Sequence, residues 1–164
     1  MKIIINIIIL ITIALSFEVE EQLSITELKD EAKIFILNQS YLDAISNYEK
    51  IYDIQSIIFG LNHKNLSETL VVLGDLYYKV NDEINALRCF QESICIIHYN
   101  ALVRNQALIT PFEYLLEIYL NNEQYNIANY ISDRLSYLYS LDTLEFHNII
   151  WSQTINMPIN DLEF

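Results

Sequence analysis

The stretch Leu70-Val71-Val72-Leu73-Gly74-Asp75-Leu76-Tyr77-Tyr78-Lys79-Val80-Asn81-Asp82-Glu83-Ile84-Asn85-Ala86-Leu87-Arg88-Cys89-Phe90 decides the fold. Apolar residues recur at three- and four-residue steps on both sides of Asn81-Asp82, the pattern of two amphipathic helices joined by a tight polar turn. Gly74 and Ala86 are small, so the two helices can approach closely. Tyr77 and Phe90 are large enough to fill the wedge between them.

Working outward, the same hairpin returns before and after. Ala44, Ala86 and Ala128 stand 42 residues apart, and the register carries through the first helices as Leu28, Leu70 and Phe112, then Phe35, Tyr77 and Tyr119. Tyr48 aligns with Phe90, whereas the third repeat has Ser132; the small position is Ala32, then Gly74, then Leu116. Tyr41 and Tyr125 match, with Glu83 between them. Leu116 and Ser132 make the third repeat read as a degenerate or capping unit. A fixed period of this length is the mark of stacked supersecondary units.

Local signals place the helices. Ser24 with Glu27 predicts a capping box opening helix one, whose core positions are Leu28, Ala32, Phe35 and Ile36. Helix two is expected over Tyr41–Phe59, burying Leu42, Ala44, Ile45, Tyr48, Ile51 and Tyr52, with Gly60 as a left-handed cap. Asn65 with Glu68 predicts the start of helix three, and helix four covers about Glu83 to Tyr99. Thr110 as cap, Pro111 at the first helical position and Glu113 closing the box predict helix five, reaching about Leu120. Helix six spans roughly Glu123 to Tyr139, and Asp142 with Glu145 predicts a seventh ending near Ile155. Hydrophobic residues make up 52% of the chain while Gly and Pro number two each, which favours long helices over turn-rich sheets.

The expected architecture is therefore all-α. It is an α-solenoid, a right-handed superhelix of three helix hairpins with a C-terminal capping helix over 142–155. Repeats fall at about 25–58, 67–100 and 109–142 within a domain covering 17–156, and 157–164 read as a flexible tail. Residues 1–16 read as a secretory signal. Lys2 precedes an apolar run from Ile3 to Leu15, interrupted by Asn6 and Thr12, and Ala14 and Ser16 suit a cut after Ser16. Such a cut predicts a secreted or extracytoplasmic protein; retention of the segment predicts a cytoplasmic one. The run is too short to span a bilayer, and its β-branched residues speak against a buried N-terminal helix.

The net charge is −13, from 22 acidic and 9 basic residues. Lys and Arg form no stripe, which disfavours nucleic acid and anionic membranes as partners. The acidity fits either a cationic partner or plain solubility. Cys89 and Cys95 lie six residues apart on one helix, about 9 Å along its axis, too far for a disulfide. They read as free thiols serving as small core residues. Asn38-Gln39-Ser40 and Asn65-Leu66-Ser67 are glycosylation sequons at expected turns.

Leu70, Leu73, Gly74, Tyr77, Ala86 and Phe90 resemble the tetratricopeptide repeat. The 42-residue spacing, with Phe59-Gly60-Leu61-Asn62-His63 before helix three, is similar to the longer repeat of kinesin light chains, although Lys64 stands where that connector has proline. The resemblance covers about Ile25 to Ser140. It implies a non-catalytic module that binds a peptide or protein segment in a concave groove lined by the first helices. In this chain that lining is Lys29, Lys33, Ile36, Val71, Asp75, Tyr78, Lys79, Glu113, Glu117 and Leu120. Tyr78 would be the apolar anchor, with Lys33 and Lys79 reaching acidic groups; the same residues also read as a solvated face. The chaperone-type carboxylate clamp does not transfer, since only Lys29 and Lys33 match it. Nor do the ligand-holding asparagines of kinesin light chains, where this chain has Val71-Val72 and Glu113-Tyr114.

The alternative is a structural or self-associating solenoid, joined through Phe146, Ile149, Ile150 and Trp151 of the seventh helix. No enzyme, metal or cofactor is expected. His63, His98 and His147 share no repeat register or metal-ligand spacing, and glycines at 60 and 74 cannot form a phosphate loop. Glu20-Glu21, Asp30-Glu31 and Asp82-Glu83 suit caps and helix dipoles better than acid–base chemistry.

Overall fold

The computed structural model describes residues 2–100 and 105–141. Six α-helices follow one another: α1 (Lys2–Leu37), α2 (Tyr41–Phe59), α3 (Lys64–Lys79), α4 (Glu83–Tyr99), α5 (Ile109–Asn121) and α6 (Tyr125–Leu141), with a 3₁₀ turn (Asn105–Leu108) before α5. They pair as hairpins α1/α2, α3/α4 and α5/α6, and α3 packs on α2 as α5 packs on α4. This is an all-α, tetratricopeptide-like helical solenoid. The seventh helix, the tail, His147 and the self-association residues lie outside the described residues.

The 42-residue period is visible in the backbone. Gln39, Asn81 and Glu123 occupy the same place in the three hairpin turns, with φ of 60°, 60° and 59°. Their amides bond back to Ile36, Tyr78 and Leu120 at 3.0, 3.0 and 3.1 Å. The next amides, of Ser40, Asp82 and Gln124, reach Phe35, Tyr77 and Tyr119 at 2.8, 2.9 and 2.9 Å. This double closure satisfies carbonyls that a helix end leaves open. The third hairpin keeps it as faithfully as the others.

Helices α3 and α6 form because their apolar positions fall on one face. On α3 these are Leu66, Leu70, Leu73 and Leu76; on α6 they are Ala128, Ile131, Leu135 and Leu138, all buried. The core is built in two parts, one between the first two hairpins and one between the last two, and Tyr77 packs against both. A methyl group on Gly74 would lie only 2.6 Å from the fully buried Phe90 ring, so close approach here requires glycine. The register-equivalent pair in the third hairpin is Leu116 and Ser132: the large and small side chains have changed places. Leu116 packs against the second core part and Ser132 is exposed.

Several local expectations are corrected. α1 does not begin at Ser24. It runs through as a 36-residue helix, and Thr26 donates to the Gln22 carbonyl at 3.1 Å inside it. No Gly or Pro occurs before Gly60, so nothing upstream stops the helix. Leu42 is exposed. The cap of α3 is His63, not Asn65: its Nδ1 accepts from the Asn65 amide at 3.3 Å, and its ring stacks on Phe59 at 4.6 Å. Asn65 and its sequon therefore sit in the first turn of α3. Thr110 and Pro111 lie inside α5, because the 3₁₀ turn feeds straight into the helix. Glu123 belongs to a turn, and α6 starts two residues later. Gly60 takes positive φ (79°) with extended ψ (160°) and not a left-handed helical cap. Both cysteines are free, but only Cys89 is in the core; Cys95 is exposed.

Candidate functional site

The first helices of the hairpins, α1, α3 and α5, carry the residues expected to line the groove. Two hydrogen bonds tie α3 to α5 on this side. Tyr114 donates to Asp75 at 2.6 Å, and Tyr78 donates to Glu117 at 2.8 Å. Asn121 adds a donor to the Tyr78 oxygen at 3.3 Å. The Tyr78 and Tyr114 rings meet edge-on at 6.0 Å, and Tyr114 stacks on buried Phe90 at 4.7 Å and 9°. The aromatic core of the second hairpin thus reaches the surface through Tyr114.

These ties set the chemistry. The Tyr78 hydroxyl is held protonated chiefly by its bond to Glu117, with burial adding to the effect. Burial comes first for Tyr114, followed by its bond to Asp75. Both tyrosines are shifted above the ordinary range, and the Tyr78 hydroxyl is committed within the fold. The two lysines expected to reach acidic groups already hold acids. Lys33 pairs with Asp30 at 2.8 Å, and Lys79 pairs with Asp75. Both pairs are solvated and weak, so a well-placed anion can compete for the lysine.

The structure brings Asp75, Tyr78, Lys79 and Glu117 into one network and adds Tyr114 and Asn121, which the sequence did not single out. Tyr114 aligns with Val72 and has no repeat signal, so only the folded packing reveals it. No hydrogen bond joins Lys29, Lys33 or Ile36 to this network. Ile36 packs half-buried against the first core part, Val71 and Lys29 are half-buried, and Leu120 is exposed. Glu113 turns towards α6, where it accepts from Tyr139.

Among the described residues, no group of three or more His, Cys, Asp or Glu is placed to hold a metal ion. No helix among them is long and apolar enough to cross a membrane.

The model of the tetratricopeptide repeat family matches residues 26–96, from within α1 to the last turn of α4. No curated protein and no solved structure matches the chain. The family match over the first two hairpins, and the third hairpin's return to the same turn and register, support a tetratricopeptide-repeat protein.

Proposed function

We propose that the chain is a non-catalytic interaction module that holds a peptide or protein segment along the face of α1, α3 and α5. The observation that carries this reading is the α3–α5 tie, in which Asp75–Tyr114 and Tyr78–Glu117 make one continuous surface of two helices. A surface fixed in advance loses little freedom on binding. Around it, exposed Leu120 offers apolar contact, and Lys33, Lys79 and Glu117 offer charge of both signs. Tetratricopeptide repeats generally mediate protein–protein contact, which favours the same reading. The repeat spacing and the His63 connector favour the kinesin-light-chain type of repeat, while Val71-Val72 and Glu113-Tyr114 point to a different ligand from that subtype's.

The apolar run Ile3–Leu15 and the small residues Ala14 and Ser16 support export, with a cut after Ser16. Amino-terminal sequencing of native protein checks this directly: a start at Phe17 is expected. Affinity capture from the native compartment checks the groove. Lys79→Glu with Leu120→Asp changes two exposed side chains and leaves the core intact. A partner retained by the wild type and lost by this variant is expected; equal recovery by both refutes the assignment.

A further inference from the structure

A second concavity opens between α2, α3 and α4, and none of its lining residues takes part in the α3–α5 ties. Its volume is about 400 Å³, within the range of side-chain and small-ligand sites. Leu70, Leu73 and Cys89 supply a buried apolar floor. Tyr52 and Tyr77 supply aromatic walls, and Glu49, Asp53 and Glu92 supply carboxylates.

The two glutamates are positioned. Tyr77 donates to Glu49 Oε1 at 2.6 Å, and Tyr52 donates to Glu92 Oε1 at 2.6 Å. The first bond links α3 to α2 and the second α2 to α4, and among the described residues no donor reaches the second oxygen of either carboxylate. Among the described residues the ion pairs are Lys33–Asp30 and Lys79–Asp75, so none of the cleft carboxylates is ion-paired there. Arg88 also lines the cleft, without pairing to them.

The fold itself does not require these charges. Moving one repeat along the chain replaces Glu49 by Gln91, Tyr52 by Ile94, Asp53 by Cys95 and Glu92 by Arg134. There Gln91 donates to the Tyr119 oxygen at 3.4 Å, the reverse of the direction between Tyr77 and Glu49. A neutral amide thus stands beside a tyrosine at the same register, and the next repeat keeps no carboxylate at any of these places. Acid confined to one of two register-equivalent places, and there lining a cleft, points to a ligand.

We propose that this cleft receives a guanidinium group, the side chain of an arginine presented by a protein partner. A guanidinium offers five N–H donors in a planar fork, which suits free oxygens approaching from two helices, and its face packs on tyrosine rings. An ammonium, a compact and strongly hydrated point charge, uses such a cleft less well. The site is independent of the α1/α3/α5 face.

The test titrates acetyl-Gly-Arg-Gly-amide into the full chain while NMR follows the tyrosine ring signals, with the citrulline and lysine counterparts alongside. Saturable shifts of Tyr52 and Tyr77 are expected for the arginine peptide and none for citrulline, which has the same shape without the charge. Glu49→Gln with Glu92→Gln keeps the acceptors for both tyrosines and should weaken binding about tenfold or more. Arg88→Ser removes the resident positive charge and should tighten binding severalfold. If the double variant loses its helical circular dichroism, Asp53→Asn replaces it, with weakening again expected. Equal binding of citrulline or lysine, undiminished binding by the acid-to-amide variant, or shifts confined to Tyr78 and Tyr114 would each overturn the proposal.

Discussion

Replacing Gly74 by alanine separates close packing from helix propensity by sign alone. In an open helical site the change would stabilise by about 1 kcal/mol, because alanine loses less freedom on folding. Here the new methyl group would meet three Phe90 ring carbons at 2.6, 2.7 and 2.9 Å. The ring would have to retreat by about 1 Å to reach ordinary contact. Phe90 is fully buried and stacked on Tyr114, so it has no room to do so freely. Overpacking of this kind costs about 1–3 kcal/mol, and loosening an aromatic pair adds about 0.5–1.5. Net destabilisation of about 0.5–3.5 kcal/mol follows after the propensity gain. Urea unfolding by circular dichroism reads it as a lower midpoint at unchanged slope. Phe90→Leu, damaging alone, should recover part of the loss when combined with Gly74→Ala, giving a coupling above about 0.5 kcal/mol. A Gly74→Ala variant more stable than wild type, or strictly additive effects, would refute the packing argument.

Other outcomes follow from the same structure. Gln39→Gly and Glu123→Gly should each stabilise by about 0.5–1 kcal/mol in thermal melts, because both positions hold left-handed φ with an unsuited side chain. Asn81→Gly should do less, since asparagine tolerates that conformation. A thiol reagent should modify Cys95 alone in native protein and both cysteines in denaturant, because burial protects Cys89 and pushes its pKa up to about 11. His98 is held below its ordinary pKa, first by burial and then by Arg134. Its folded pKa is depressed, so the unfolded chain takes up the proton first, and stability should fall as pH drops through about 6.5. His98→Gln should flatten that slope in pH-dependent urea titrations. Tyr52, Tyr77 and Tyr114 are all raised, by burial first and then by their carboxylate partners. Their stabilising contribution should be lost above about pH 10, and tyrosinate absorbance should develop together with unfolding.

How much was legible in the sequence depends on the range over which each signal acts. Ala44, Ala86 and Ala128 fix the hairpin register locally, and α2 and α4 have the expected limits because turn residues bound them on both sides. The Ser24 box failed because a capping motif starts a helix only where something upstream ends one. The left-handed turn residues were hidden at Gln39 and Glu123, since neither is the glycine that normally betrays such a position. Leu116 and Ser132 read as decay when each was compared with its column alone, and as an exchange of sizes once the Gly74–Phe90 contact was seen. On the α3–α5 face the sequence identified Asp75, Tyr78, Lys79 and Glu117 but not the bonds among them. The second cleft was beyond its reach, because residues 49 and 92 become neighbours only through the stacking of α2 and α4 around α3.

The identical closure at Gln39, Asn81 and Glu123 bears on how such a chain can change length. A recombination event joining the codon of one of these residues to the codon after the next would delete or duplicate one 42-residue repeat. The splice would fall between two backbones of the same conformation, so neither flanking helix would need to rewind. Solenoids with one hairpin more or fewer are thus reachable in a single genetic step, whereas a crossover between positions that are not 42 residues apart would shift the register.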